Sequence, residues 1–153
     1  MFEDIYNFLA LSKSLFTGGM PKAEQLADAA EQGVEVVINL APHEVSNALP
    51  NETELVTSLG MQYINIPVNW NTPTKDGLDR FIAVMDENKD RKILVHCQAN
   101  FRATAFVSMY RILREGWASE DAMEVMHKIW DEEDYPIWKM FIEDTLKRSK
   151  EGL

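Results

Sequence analysis

The sequence predicts one α/β domain over residues 1–153, with a central, mostly parallel sheet flanked by helices and a helical C-terminal extension. Three observations point there. The apolar runs "VEVVINLA" (34–41) and "KILVHC" (92–97) are short and rich in β-branched residues, as strands buried on both faces are. Segments with apolar residues at helical spacing lie between the strand-like runs, and such alternation favours a parallel sheet. At 153 residues the chain can bury a core without metal or disulfide staples, and it shows no internal repeat, linker or low-complexity tract.

Each element has its own signal. "SLFTGG" (14–19) reads as a short strand ending in a glycine turn, and Pro21 suits the first position of a helix over 21–32 that Gly33 closes. After the strand 34–41, "PHEVSNALP" is a loop. Asn51 is expected to cap a helix over 51–60 that ends at Gly60 and leads to the strand "MQYINIPV" (61–68). The loop "NWNTPT" precedes a helix over 75–89, whose Leu78, Phe81, Ile82 and Met85 share one face. Beyond the strand 92–97, Phe101, Ala105, Met109 and Ile112 keep helical spacing to about Glu115. Two more helices are expected over 119–130 and 137–148; Trp130, Tyr135 and Trp138 read as packing at their junction, with the acidic run 131–134 as a solvated turn.

Charge and composition narrow the function. Fifteen basic against 25 acidic residues give a net charge of −10, which repels nucleic acid and anionic membrane, so neither is expected as a partner. An anionic substrate would need a small local trap. No run is long enough to span a bilayer. Cys97 is the only cysteine, so no intramolecular disulfide can form, and a cytoplasmic location is expected, although a leader removed beforehand would leave no trace. His43, Glu44 and His127 lack metal-ligand spacing, and no metal or cofactor is expected.

The chemistry concentrates in "ILVHCQANFRAT" (93–104). A strand runs into His96 and Cys97, and a helix starts a few residues later. The amides from Gln98 to Ala103 can curl around an anion, the helix N-terminus adds partial positive charge, and the same dipoles favour a thiolate at Cys97. Arg102 offers a planar fork matched to two oxygens of a phosphate or sulfate. The competing reading makes Cys97 a small hydrophobe closing a buried strand and Arg102 a solvent-facing helix residue. Agreement of strand, loop, helix and lone cysteine favours a nucleophile facing a tetrahedral anion.

"VHCQANFRAT" resembles the His-Cys…Arg-Ser/Thr signature of cysteine-dependent protein phosphatases. The chain from "LFTGGMPKAEQLADAAEQGVEVVINL" through "INIPVNWNTPT" is similar to a bacterial phosphatase-like family related to the dual-specificity phosphatases, sometimes fused to a β-lactamase-like hydrolase. The resemblance implies a cysteine-phosphatase-like fold, a phosphorylated protein or small phosphoester as substrate, and phosphomonoester hydrolysis through a phosphocysteine with no metal. It makes Cys97 the nucleophile, Arg102 the binder of phosphoryl oxygens, and Gln98, Ala99, Asn100, Phe101 and Ala103 the cradle. Thr104 would hydrogen-bond the Cys97 sulfur, and His96 would order the loop.

The sequence departs from that pattern twice. Four residues separate Cys97 from Arg102 where the protein phosphatases have five, a length shared with rhodaneses, so a sulfurtransferase using a Cys97 persulfide is the alternative. Asn100 stands at the loop centre, where relatives often have glycine, and Asn tolerates a left-handed backbone better than most residues. The phosphatase pattern also puts an Asp after the preceding strand, to protonate the leaving oxygen. Here that loop reads "PVNWNTPTKD". Asn69 and Trp70 would rim the pocket, and Asp76 is the nearest candidate acid, with the run 131–134 as the other source. Without an acid the chain would be a weakly active phosphate-binding module.

Overall fold

The computed structural model describes residues 1–150. Five strands and six α-helices follow one another as β1 (Leu9–Ala10), β2 (Leu15–Gly18), α1 (Ala23–Glu31), β3 (Val36–Asn39), α2 (Glu52–Ser58), β4 (Gln62–Asn65), α3 (Lys75–Glu87), β5 (Ile93–His96), α4 (Phe101–Glu115), α5 (Ser119–Met126) and α6 (Pro136–Lys150). The strands form one sheet in the order β1-β2-β5-β3-β4. β2, β5, β3 and β4 run parallel, and β1 pairs antiparallel at the edge.

The two-residue period of a strand decides which side chain meets which layer. Val36, Ile38, Ile93, Val95 and Cys97 face a core shared with Leu78, Phe81 and Met85 of α3, Phe106 and Met109 of α4, Met126 of α5 and Trp138 and Ile142 of α6. Val37 and Leu94 face the opposite way, onto Leu26 and Ala29 of α1 and Val56 of α2. The expected helix-flanked sheet is present, with α6 as the C-terminal helix. Helix α4 is buried from Arg102 to Arg111 because α3, α5 and α6 cover it. β5 is the middle strand, so its carboxyl end, where Cys97 lies, opens between the loops that follow β2 and β3.

Several boundaries differ from the sequence reading. Helix α1 starts at Ala23 rather than Pro21, because Gln25 folds back to accept the Lys22 N–H at 2.8 Å and makes Lys22 the cap. Asn51 stands at the cap position of α2, but its φ of 58° is left-handed and its side chain makes no capping bond. Helix α5 stops at Met126, and Pro136 opens α6. Strand β1 and the 3-10 turn Phe2–Asp4 were not expected; each is too short to carry a periodicity.

Candidate active site

The strand period that splits the core also splits the His-Cys pair. Cys97 points to the α3–α6 side and is 1% exposed; His96 points to the α2 side and is fully buried. There its Nε2 lies 2.5 Å from Glu52 Oε2. The other Glu52 oxygen accepts from Asn39 Nδ2 at 3.2 Å and from the Tyr63 hydroxyl at 3.3 Å. Burial, the largest cause, pushes the Tyr63 hydroxyl well above its ordinary pKa, and the Glu52 charge pushes the same way. His96 Nδ1 lies 3.4 Å from the Cys97 carbonyl oxygen, so the imidazole braces the loop from behind and faces away from the sulfur.

The loop is held by residues distant in sequence. Asn100 has φ 70°, a left-handed conformation that Asn tolerates better than most residues. Its Nδ2 donates to the Asn7 carbonyl at 2.7 Å and to Thr17 Oγ1 at 3.0 Å, while Asn7 Nδ2 donates to the Ala99 carbonyl at 3.0 Å. The Gln98 carbonyl accepts from Met20 N at 3.1 Å and from Asn47 Nδ2 at 3.3 Å. Gly19 allows this approach, since a Cβ there would lie 2.9 Å from the Gln98 oxygen.

Arg102 completes the cradle. Its Nη2 donates to Gln98 Oε1 at 3.2 Å, its guanidinium lies 5.7 Å from the Trp70 ring centre, and it is 5% exposed. Burial lowers the pKa of the guanidinium from its ordinary value, and the Cys97 charge opposes that shift. Its Nε is buried with no hydrogen-bond partner among the described residues. A buried donor left without an acceptor is costly. Cys97, Gln98, Ala99, Phe101 and Arg102 line a cleft of about 320 Å³ with Trp70 and Tyr135.

Some expected site residues fall elsewhere. The Thr104 hydroxyl donates to the Asn100 carbonyl at 2.7 Å and accepts from Trp130 Nε1 at 3.0 Å, so its single hydrogen is not turned to the Cys97 sulfur. Ala103 is buried beneath the loop. Asn69 closes a turn onto Asn71 N at 2.9 Å, which leaves Trp70 alone of that pair on the cleft wall. Asp76 is exposed in the first turn of α3 and does not line the cleft. His43 sits 2.9 Å from the Tyr63 hydroxyl, and exposed Glu44 is also outside the cleft.

His127, Asp131 and Glu132, unremarked as a set in the sequence, bring ligand atoms within 4.8 Å of one another, and His127 Nε2 lies 2.5 Å from Glu132 Oε1. Glu52, Asn7 and Thr17 are the site residues that sequence reasoning missed. A buried polar network carries no local pattern. Among the described residues no helix is long and apolar enough to cross a membrane.

Comparisons with known proteins place the fold and the family. A phosphatase from Shewanella putrefaciens, described under DUF442, shares 35% identity with a TM-score of 0.84, covering 94% of this chain and 91% of that one. P. aeruginosa TpbA shares the fold at 20% identity and a TM-score of 0.74, covering 91% and 84%. The catalytic domain of the S. cerevisiae PP-IP phosphatase SIW14 does so at 14% and 0.75, covering 97% and 93%. No curated protein matches the chain. The family described as DSP-PTPase phosphatase fused to NAD+ kinase matches residues 6–136. A match that spans the sheet, the Cys97 loop and α4 and reaches the start of α6 places this chain in that family of cysteine-dependent phosphatases, and the protein is a hydrolase.

Proposed function

We propose that the protein hydrolyses phosphomonoesters without metal, through a phosphocysteine on Cys97. The observation that carries this is the Arg102 guanidinium beside Cys97 in the wall of one cleft, at the loop that joins β5 to α4. A phosphoryl group seated there takes its charge compensation from Arg102 and from the amides of Gln98 to Ala103. The Cys97 thiolate attacks phosphorus in line with the leaving oxygen. An S–P bond forms as the P–O bond breaks, and water then cleaves the S–P bond to release phosphate. Arg102 acts in both steps, and His96 holds the loop in register from behind.

The substrate is a phosphorylated protein or a small phosphoester. Two proteins of the same fold support that range: TpbA has been crystallised with phosphotyrosine and PTPMT1 with PI(5)P. Trp70, Phe101 and Tyr135 give the cleft aromatic walls suited to a flat leaving group. The test is 4-nitrophenyl phosphate hydrolysis with EDTA present, in wild type and Cys97→Ser. Activity in wild type and its loss in the variant support the reading. A well-folded wild type without activity overturns it, and thiocyanate formation from thiosulfate and cyanide would then favour the sulfurtransferase.

A further inference from the structure

Among the described residues, no carboxylate lines the cleft that holds Cys97 and Arg102. The loop after β4, where an acid was expected, offers the amides Asn69 and Asn71 around Trp70. That loop is fastened to the start of α6: Trp138 Nε1 donates to the Trp70 carbonyl at 2.8 Å, and the two indoles stack with centres 5.1 Å apart. The segment just before α6 is therefore held against the cleft.

Beside the cleft lies a smaller hollow of about 110 Å³, lined by Trp70, Asp134, Tyr135, Pro136, Ile137 and Trp138. Trp70 and Tyr135 belong to both walls. Tyr135 is fixed among aromatic rings, its centre 5.3 Å from that of Trp70, 5.8 Å from Phe101 and 5.6 Å from Trp130.

The four acids of the run 131–134 are not equivalent. Asp131 Oδ1 accepts from Glu133 N at 2.9 Å, Glu132 contacts His127 at 2.5 Å, and Glu133 contacts Lys139 at 2.8 Å. These bonds, with Asp134 N donating to the Asp131 carbonyl at 3.1 Å, set the turn. The Asp134 carboxylate alone makes no hydrogen bond or ion pair among the described residues. It is also the one carboxylate, among the described residues, that lines either the cleft or its neighbouring hollow.

We propose that Asp134 is the proton donor to the leaving oxygen, a catalytic role for the segment before α6 in place of the loop after β4. This rests on the Cys97 phosphatase reading. In the first step the Cys97 thiolate attacks phosphorus and the P–O bond breaks, while the Asp134 carboxyl proton passes to the departing oxygen, giving a neutral alcohol and a carboxylate. In the second step that carboxylate takes a proton from the attacking water, the S–P bond breaks, and phosphate and the thiolate are released.

The test compares phenyl phosphate, whose leaving oxygen needs a proton, with 4-nitrophenyl phosphate, whose phenolate departs with little help. In Asp134→Asn, kcat for phenyl phosphate should fall on the order of a hundredfold, and kcat for 4-nitrophenyl phosphate by much less. The free side chain makes Asn a neutral replacement for folding, so the thermal midpoint should match wild type. Equal fractional losses on both esters would overturn the assignment, as would the selective loss appearing in Asp76→Asn instead. Both results would leave the Cys97 reading standing; full activity in Cys97→Ser would remove that reading and this one together.

Discussion

At the scale of single residues, two side chains near Cys97 have separable duties. Arg102 must offer several donors in one plane, because Gln98 engages only one hydrogen of its Nη2 and a phosphoryl group draws on more than one of those that remain. Lysine keeps the charge but presents it as a point without the fork. Arg102→Lys should therefore lower kcat/KM for 4-nitrophenyl phosphate by about 100-fold, the usual loss when an oriented donor to the transition state is removed. Steady-state kinetics checks this; a variant within a few fold of wild type would remove Arg102 from the chemistry. Glu52 serves stability instead, since His96, Asn39 and Tyr63 all depend on its carboxylate behind the loop. Glu52→Ala strands a buried imidazole and should cost about 3 kcal/mol in urea unfolding, whereas Glu52→Gln keeps an acceptor oxygen and should cost less. Equal unfolding midpoints for wild type and Glu52→Ala would show that the pair holds nothing together.

At the scale of elements, the cradle is a strand, a tight turn and a helix start pressed against the end of β2. Gly19 is the point of closest approach: a methyl there would sit 2.9 Å from the Gln98 oxygen and 3.0 Å from the Tyr6 carbonyl, both backbone atoms that cannot swing aside. Gly19→Ala should push the loop outward, and a misplacement near 1 Å costs on the order of 100-fold in rate. The expected result is a large fall in kcat with a folded protein by circular dichroism; unchanged kcat would mean that the loop yields without losing alignment.

The same element shows what the sequence could reveal. The Cys97 loop was legible because strand, anion cradle and helix are contiguous, and periodicity and chain order place them without distant partners. Its supports were not, because Glu52 lies 44 residues from His96, and Asn7 and Thr17 lie 93 and 83 from Asn100. The start of α1 differs for a related reason. Pro21 suited a first helical position by composition, but Gln25 reaching back to Lys22 decided where α1 begins. Asp76 is the nearest acid along the chain, and the fold also brings residues 134 and 135 beside Trp70 through the aromatic packing at the start of α6.

At the scale of the whole molecule, charge and site oppose each other. The chain carries a net charge of −10, while the cleft presents Arg102 as its one cationic side chain among the described residues. A phosphate dianion must cross a repulsive outer field before it meets the short-range attraction of the loop. Salt acts unequally on these two effects. Raising ionic strength from about 0.01 M to about 0.1 M shortens the screening length from roughly 30 Å to roughly 10 Å, which removes most of the long-range repulsion. Contacts inside the cleft are shorter than either length and partly shielded from ions, so they change little. The consequence is that kcat/KM for 4-nitrophenyl phosphate should rise with salt over this range, carried by a falling KM with kcat nearly constant. A fall in kcat/KM over the same range would instead mean that the potential at the cleft mouth is positive despite the acidic surface, and that the loop amides and the start of α4 govern capture as well as chemistry.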